Sequence, residues 1–362
     1  MTQPTPTIST PKGALFIKAA VLLIGAALLF APFLFQDTRS LEVAARICIF
    51  VVLVASYDLL IGYTGIVSFA HTMFFGFGAY GAAIALKQMG PGWDAVIIGA
   101  LAGLAVSIVV AVAIGMLSLR VKAIFFAMIT LAAASVALVL ASQLSDLTGG
   151  EDGITYKAPQ IFKTATKLMV DENGKVARLF GVKLNGKLAA YYFVFAACFA
   201  LFIFCLRMVA SPLGTVLKAI RENEARAEAI GYRVVAYRTF VFVIAAVAAS
   251  LAGTIYAVWL KYTGPDTALS FTIMIDILLM VVIGGMGTMY GAVIGATMLV
   301  LAQYYLRDLM GATSEALDGW PLLPELFDPD RWMLWLGIIF ILLVYFFPRG
   351  IAGTLWSKGA RS

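Results

Sequence analysis

The stretch from Arg207 to Arg238, RMVASPLGTVLKAIRENEARAEAIGYRVVAYR, decides how this chain is read. It is a long charged island between two strongly apolar runs, so the flanking segments read as membrane spans and the island as a surface connection between them. Ser211-Pro212 predicts a helix start with Pro212 at the first helical position, and Gly231 predicts the stop. Leu217, Ile220 and Ala227 can share one face, while Lys218, Arg221, Glu222 and Arg226 project elsewhere, with Glu222 and Arg226 at i,i+4 spacing. Two short amphipathic helices lying on a membrane face fit either an inert connector or a docking element.

Composition widens the frame. Hydrophobic residues make up 62% of the chain and charged residues 13%, with a mean hydropathy of +0.96. Soluble domains carry about a quarter charged residues, so an integral membrane protein is expected. The net charge of +6 does not argue for nucleic acid, because Lys and Arg sit in short clusters beside apolar runs, where topology signals belong. Cys48, Cys198 and Cys205 all lie inside apolar runs without metal-site spacing and read as packing residues. With His71 as the single histidine, no histidine metal cluster or hydrolytic triad can be built, and no metal site is expected. No GxxxxGK[ST] phosphate loop occurs, so no nucleotide cofactor is expected in this chain. No catalytic residues are expected in this chain.

A helix crossing the ~30 Å hydrocarbon core needs about 20 apolar residues. By that ruler the chain holds about ten spans: 14–35, 43–61, 68–86, 94–118, 123–142, 188–208, 237–260, 270–283, 291–309 and 331–347. The fold class is therefore an all-α polytopic membrane protein, with a transmembrane domain over 14–350. Residues 1–13 read as a disordered tail and 351–362 as a second tail. The first run is longer than a signal-peptide core and is read as a retained span. The eighth is too short for a regular crossing and is expected to continue irregularly through Gly284-Gly285. Only Gly62 to Val67 separates the second and third. Such breaks are tolerated where protein or a wet cavity satisfies the freed backbone groups. With the N-terminus inside, half of the 26 Lys and Arg residues fall on the inner side. Many of the rest lie in the single long loop 143–187. Both termini and the island at 207–238 are then cytoplasmic and the long loop external.

The chain also repeats itself. Tyr63-Thr64-Gly65 and Ser68-Phe69 after the second span match Tyr262-Thr263-Gly264 and Ser270-Phe271 after the seventh. MGPGWDAVIIGA from Met89 matches MGTMYGAVIGA from Met286. The offsets of 199 and 197 residues nearly agree, which predicts two five-span halves of inverted topology whose broken helices meet near the midplane.

Candidate pathway residues follow from the breaks: Asp58, Tyr63, Thr64, Gly65, Ser68 and His71 in the first half, Tyr262, Thr263, Gly264, Ser270 and Asp276 in the second. A carboxylate at a span centre costs about 2.5–3.5 kcal/mol on insertion scales, so Asp58 and Asp276 each require a partner or water. Both admit a path or proton-relay role and a structural hydrogen bond at a helix break. His71, three residues beyond Ser68 on one half-helix, admits a ligand role and a buried structural one. In GYTGIVSFAH, free amides at a helix start could face an anionic group. Gly284, Gly285, Gly287, Gly291 and Gly295 form a small-residue stripe suited to close helix packing. Thr148-Gly149-Gly150-Glu151-Asp152-Gly153 fits neither a calcium nor a phosphate loop and reads as turns. KLMVDENGKVARL alternates around Asn173-Gly174 as a hairpin.

The island, with Gly214, Ala219-Ile220-Arg221-Glu222-Asn223, Glu224, Arg226-Ala227 and Gly231, resembles the cytoplasmic coupling loop of ABC importer permeases. The closest likeness is to branched-chain amino acid permeases of the LivM type. GYTGIVSFAH is similar to that family's GYTGxxSxxH, and TGGEDGI and IGGMGTMYGAVIGA are typical of it. The resemblance spans residues 40–355. It implies a permease subunit in a bacterial inner membrane that works with a second permease of the LivH type, two ATPases of the LivG and LivF type and a periplasmic solute-binding protein. ATP and magnesium would be held by the ATPases. The loop would dock on an ATPase through Gly214, Arg221, Glu222, Asn223, Glu224, Arg226 and Gly231, and the hairpin would meet the binding protein. Related permeases carry urea, amides or aromatic acids. An ion-coupled secondary transporter using Asp58, Asp276 and His71 is the competing class.

Overall fold

The computed structural model describes residues 12–35, 37–118, 123–163, 166, 178–179, 182–316 and 327–359. The N-terminal tail and the Asn173-Gly174 turn lie outside them. The long helices are α1 (Lys12–Leu34), α2 (Thr38–Ile61), α3 (His71–Met89), α4 (Trp93–Ser118) and α5 (Ala123–Gln143) in the first half. A short α6 (Ser145–Thr148) leads into the long loop. The second half contains α7 (Gly186–Ala210), the island helices α8 (Pro212–Glu222) and α9 (Glu224–Ala229), and α10 (Val234–Leu260). It continues with a one-turn α11 (Pro265–Ala268), α12 (Phe271–Gly284), α13 (Met289–Ala316), α14 (Trp332–Phe346) and α15 (Gly350–Gly359).

Nine helical stretches among the described residues are long and apolar enough to cross a membrane. The chain is a multi-pass, all-α membrane protein. Each expected span is met by a helix, but α3 falls short of that apolar measure: His71 and Lys87-Gln88 dilute its ends, and protein rather than lipid covers it. The eighth span is short as expected. The third begins at His71 rather than Ser68, because residues Gly62 to Ala70 are not helical.

Among the described residues, strands occur as two-residue ladders. Strand β1 (Ile154–Thr155) pairs antiparallel with β4 (Tyr262–Thr263), and β2 (Arg178–Leu179) with β3 (Val182–Lys183).

Helices α2 and α10 form the centre. Of their most apolar windows, 89% and 72% are buried, against 17% to 22% for α1, α4, α5 and α7, whose exposed faces are the lipid-facing ones. The repeat is visible in the packing. Helix α10 packs on the α3–α4 hairpin, α2 packs on the α12–α13 hairpin, and α2 and α10 pack on each other. Each half thus inserts its central helix against the hairpin of the other. With no hydrophobic driving force between helices in lipid, close approach of small residues holds such contacts. A Cβ on Gly78 of α3 would lie 1.7 Å from the Ser250 carbonyl oxygen of α10, and one on Gly295 of α13 would lie 1.9 Å from the Met280 carbonyl oxygen of α12.

Two corrections concern the ends of these hairpins. The glycine stripe is not one helical face: α12 stops at Gly284, and Gly285 and Gly287 turn the chain with φ of 110° and 80°. Only Gly284, Gly291 and Gly295 pack helix on helix. Residues 351–362, expected as a tail, begin as α15. Its Ala352 is buried with Ile17 of α1 and Ile294 of α13, since Ile351, Ala352 and Leu355 recur on one helical face.

Candidate functional site

The island folds as its sequence dictates. Ser211 precedes α8 with Pro212 at its start, and Leu217 and Ile220 turn inward. Asn223 ends α8 and caps α9, its side chain accepting from the Arg226 amide at 2.9 Å. Gly231 follows with φ 101°. Ile220, Ala227 and Val234 form a small apolar cluster of their own. The interruption at Asn223 removes the expected Glu222–Arg226 pairing, which needs a continuous helix. Glu224 instead pairs with Arg238 through both carboxylate oxygens, at 2.7 and 3.1 Å. Glu222 and Arg226 stay exposed.

Arg221 does not point away from the protein. Its guanidinium donates to the carbonyl of Gly62, at the C-terminal end of α2. Lys218, three residues earlier and on the same face of α8, sets its ammonium 5.4 Å over the Tyr63 ring, a cation–π contact. Gly65 takes φ +73°, and the space beside its Cα is filled by the Arg221 side chain. Two basic residues of the island therefore grip the segment between α2 and α3.

The same segment is tied from a third direction. Asp58, on the last turn of α2 and 1% exposed, accepts from the Gly287 amide at 2.8 Å. The turn between α12 and α13 thereby lies against the α2–α3 break. Asp58 Oδ2 has no hydrogen-bond partner among the described residues, and Arg221 is within electrostatic reach of it. The Gly287 amide and the nearby Arg221 guanidinium offset part of the cost of burying this carboxylate.

The matched break in the second half, Tyr262 to Ser270, lies at the opposite end of the protein, under the long loop. Strand β1 pairs with β4, setting Ile154 opposite Thr263. Tyr156 donates to the Ala257 carbonyl at 2.9 Å and shares a 2.8 Å hydrogen bond with Thr263, and burial lifts its phenol above the ordinary range. Tyr262 donates to the Asp152 carbonyl at 3.1 Å. The turns of TGGEDG need left-handed glycines at Gly149, Gly150 and Gly153. At Gly153 a side chain would also strike Thr263 and Gly264. Gly264 itself is tied locally, its amide donating to Thr267 at 2.9 Å.

The two breaks enter from opposite ends and meet. Phe69 and Phe271, equivalent by the repeat, place their rings 6.1 Å apart, as a pseudo-two-fold axis between them requires. The preceding serines each accept a backbone amide: Ser68 from Ala70 at 3.3 Å, Ser270 from Thr272 at 3.2 Å. Ser270 is the N-cap of α12, whereas Ser68 closes a turn ahead of α3, whose N-cap is Ala70. The Phe69 amide is taken by Thr130 of α5 at 3.0 Å. Thr64 returns its hydroxyl to Leu60 at 2.7 Å. The amides expected to be free at this helix start are thus partly committed.

Two candidates stand apart. His71 is buried, 2.9 Å from the Ser56 hydroxyl and edge-on to Tyr57; it does not share a half-helix with Ser68. Asp276 is half-buried on α12 and accepts from Gln303 at 2.9 Å. It is separate from the Asp58 cluster and lies within reach of Arg46. Sequence reading missed Lys218, Tyr156 and Thr130 as contacts of the breaks. The i,i+3 spacing of Lys218 and Arg221 was the available signal. Cys48, Cys198 and Cys205 are free and buried.

The comparisons with known proteins fall on this architecture. The chain is 27% identical over 329 residues to the high-affinity branched-chain amino acid transport system permease protein LivM of Salmonella typhimurium, covering 89% of this chain and 75% of that one. It is 26% identical to the protein of that name from Escherichia coli, with the same coverage. A probable branched-chain amino acid transport permease LivM of Methanocaldococcus jannaschii is 29% identical over 46% of the chain and 47% of its own length. No solved structure matches. The family described as branched-chain amino acid transport system, permease component, matches residues 40–344, which take in α2 to α13, both breaks and the island, and the chain belongs to that family.

Proposed function

We propose that this chain is one permease subunit of an ATP-driven importer for branched-chain or related amino acids, seated in a bacterial inner membrane with the island in the cytoplasm. The partners are a second, LivH-type permease, two ATPases of the LivG and LivF type that hold the ATP and magnesium, and a periplasmic binding protein. The names of the relatives support the cargo class. The observation that carries the coupling mechanism is the reach of Arg221 from α8 to the Gly62 carbonyl.

In this reading Glu222 and Arg226 form the exposed contact with an ATPase. When the ATPase moves α8, Arg221 and Lys218 pull on Gly62 and Tyr63. The Asp58–Gly287 bond then shifts with them, and the inner break opens while the outer one stays covered. The two helix entries at Ser68 and Ser270, meeting at Phe69 and Phe271, are the part of the path this chain contributes. Alternating access follows if the inner and outer covers release in turn.

The test is ATP-dependent leucine uptake in vesicles holding the chain with its co-purifying subunits. Arg226→Glu should abolish ATPase association. Arg221→Gln should keep association and ATP hydrolysis while uptake falls at least tenfold. Uptake that continues without ATP, or full uptake in an Arg221→Glu/Arg226→Glu double variant, would sink the coupling claim.

A further inference from the structure

A cavity of about 350 Å³ opens between α2, α7, α10 and α13 at the end of the protein that carries the long loop. Its walls hold four charges that none of the steps above uses: Glu42 and Arg46 on α2, Lys187 at the start of α7 and Lys261 at the end of α10. Charged groups this close to a span are costly and mark ligand or ion paths when they line a cavity. Their arrangement is specific. Arg46 is stacked between Phe50 and Tyr304, its guanidinium 5.2 and 5.5 Å from the two ring centroids, and donates to the Tyr304 hydroxyl at 3.1 Å. Its Nε is buried and has no hydrogen-bond partner among the described residues. Asp276, the acidic group within its reach, is hydrogen-bonded to Gln303. Lys187 approaches Glu42 at 3.8 Å, a loose pair. Lys261 is the one non-glycine residue among those described with a left-handed backbone, φ 60°. That costly conformation holds it at the cavity lip, immediately before the covered break at Tyr262. Phe162, Trp259 and Leu260 supply an apolar wall.

We propose that this cavity binds the two charged groups of an amino acid with an apolar side chain. Among the lining residues three cations stand against one carboxylate, with Asp276 behind Arg46 held by Gln303, which suits a ligand that brings a carboxylate of its own. Arg46 and Lys261 take that carboxylate, Glu42 takes the ammonium, and the aromatic wall takes the side chain. A planar, ring-stacked guanidinium is the preferred partner for a carboxylate, and the volume matches a small ligand. The cavity is a receiving site beside the outer break, where cargo waits for the β1–β4 cover to release. This rests on the amino-acid reading of the transport function.

The test uses the chain with its co-purifying membrane subunits. Mass spectrometry follows the reaction rate of Cys48, Cys198 and Cys205 with a maleimide during thermal unfolding. The probes are L-leucine, 4-methylpentanoate, which lacks the ammonium, and 3-methylbutylamine, which lacks the carboxylate. Leucine should slow the reaction, and each single-charge analogue should need at least tenfold more. Arg46→Gln should raise the leucine requirement at least tenfold and leave the amine unchanged, while Glu42→Gln should do the reverse for the two analogues. Lys261→Asn keeps the left-handed backbone accessible and should raise the leucine requirement about threefold, which guards against a misfolded Arg46 variant. An unchanged leucine response in both Arg46→Gln and Lys261→Asn overturns the site. If the wild-type complex still takes up leucine in that case, the transport reading survives it. Arg46-dependent leucine binding in a complex that takes up no leucine would keep the site and overturn the transport reading.

Discussion

The two chain breaks are equivalent by the repeat, yet they are closed by different chemistry. At Gly62–Ala70 the cover is made of charged side chains: Arg221 on a carbonyl, Lys218 on Tyr63, Asp58 on the Gly287 amide. At Tyr262–Ser270 it is made of backbone, through the β1–β4 ladder and left-handed glycines, with Tyr156 and Tyr262 reaching carbonyls. A side-chain cover can be moved by whatever moves α8. A backbone cover moves with the loop that carries it. The difference teaches that one duplicated element is covered in two ways, by side chains of the island at one end and by the backbone of the long loop at the other.

Removing the backbone cover should have the largest effect. Gly153 has φ 68°, and a Cβ there would lie 2.5 Å from the Thr263 carbonyl oxygen. Gly153→Val therefore combines a left-handed penalty of about 1–2 kcal/mol with overpacking of about 1–3 kcal/mol. The thermal midpoint of the detergent-solubilised chain, read by maleimide reaction of its three buried cysteines, should fall steeply. Gly231→Val is the control, since its φ is 101° but nothing lies within 4 Å; it should lose only the backbone term. Equal losses in the two variants would remove the claim that β1 covers the outer break.

Arg221→Gln comes next and should separate stability from transport. Losing a hydrogen bond from a charged donor costs about 1.5–3 kcal/mol, and Asp58 loses its nearby cation. The midpoint should drop less than in Gly153→Val, while ATP-dependent uptake collapses. A variant that melts like Gly153→Val would make Arg221 a structural clamp with no transmitting role.

How much of this was readable from residues alone follows from range. The spans were legible because hydropathy over about 20 residues is a local signal, and the two ends of the island because Pro212 and Gly231 are local punctuation, while the interruption at Asn223 was not. The repeat was legible through Tyr-Thr-Gly and Met-Gly, and it was enough to place matching breaks. The extension of the first break beyond Val67 was not, since Ser68-Phe69-Ala70 carries no breaker and continues an apolar run. Nor was the contact of Arg221. A charged residue on a surface helix gives no sign of its partner, and Gly62 is 159 residues away. The single histidine admits a ligand role on sequence because it lies near a break. The Ser56 hydroxyl that occupies it came from the preceding helix, which spacing cannot reveal.

Smaller substitutions sharpen the comparison at the outer break. Tyr156→Phe removes a hydroxyl bonded to Ala257 and Thr263 and keeps the ring. Net worth per hydrogen bond is about 0.5–1.5 kcal/mol, so the midpoint should fall by a degree or two in a chain of this length. Uptake should persist, because no charged handle is touched.

Tyr262→Phe should do least, and its size carries an argument about the gate. The Tyr262 hydroxyl donates across the cover to the Asp152 carbonyl from a half-buried ring, so water can replace Asp152 as partner at little cost. A loss near 0.5 kcal/mol is expected in unfolding. If the outer cover must release during transport, the same loss should appear as easier opening. Faster maleimide labelling of a cysteine placed at Ser270 would report it under native conditions. Faster labelling in Tyr262→Phe with an unmoved thermal midpoint would identify the hydroxyl as part of the release step. Unchanged labelling would mean that the ladder and the Tyr156 bonds hold the cover alone.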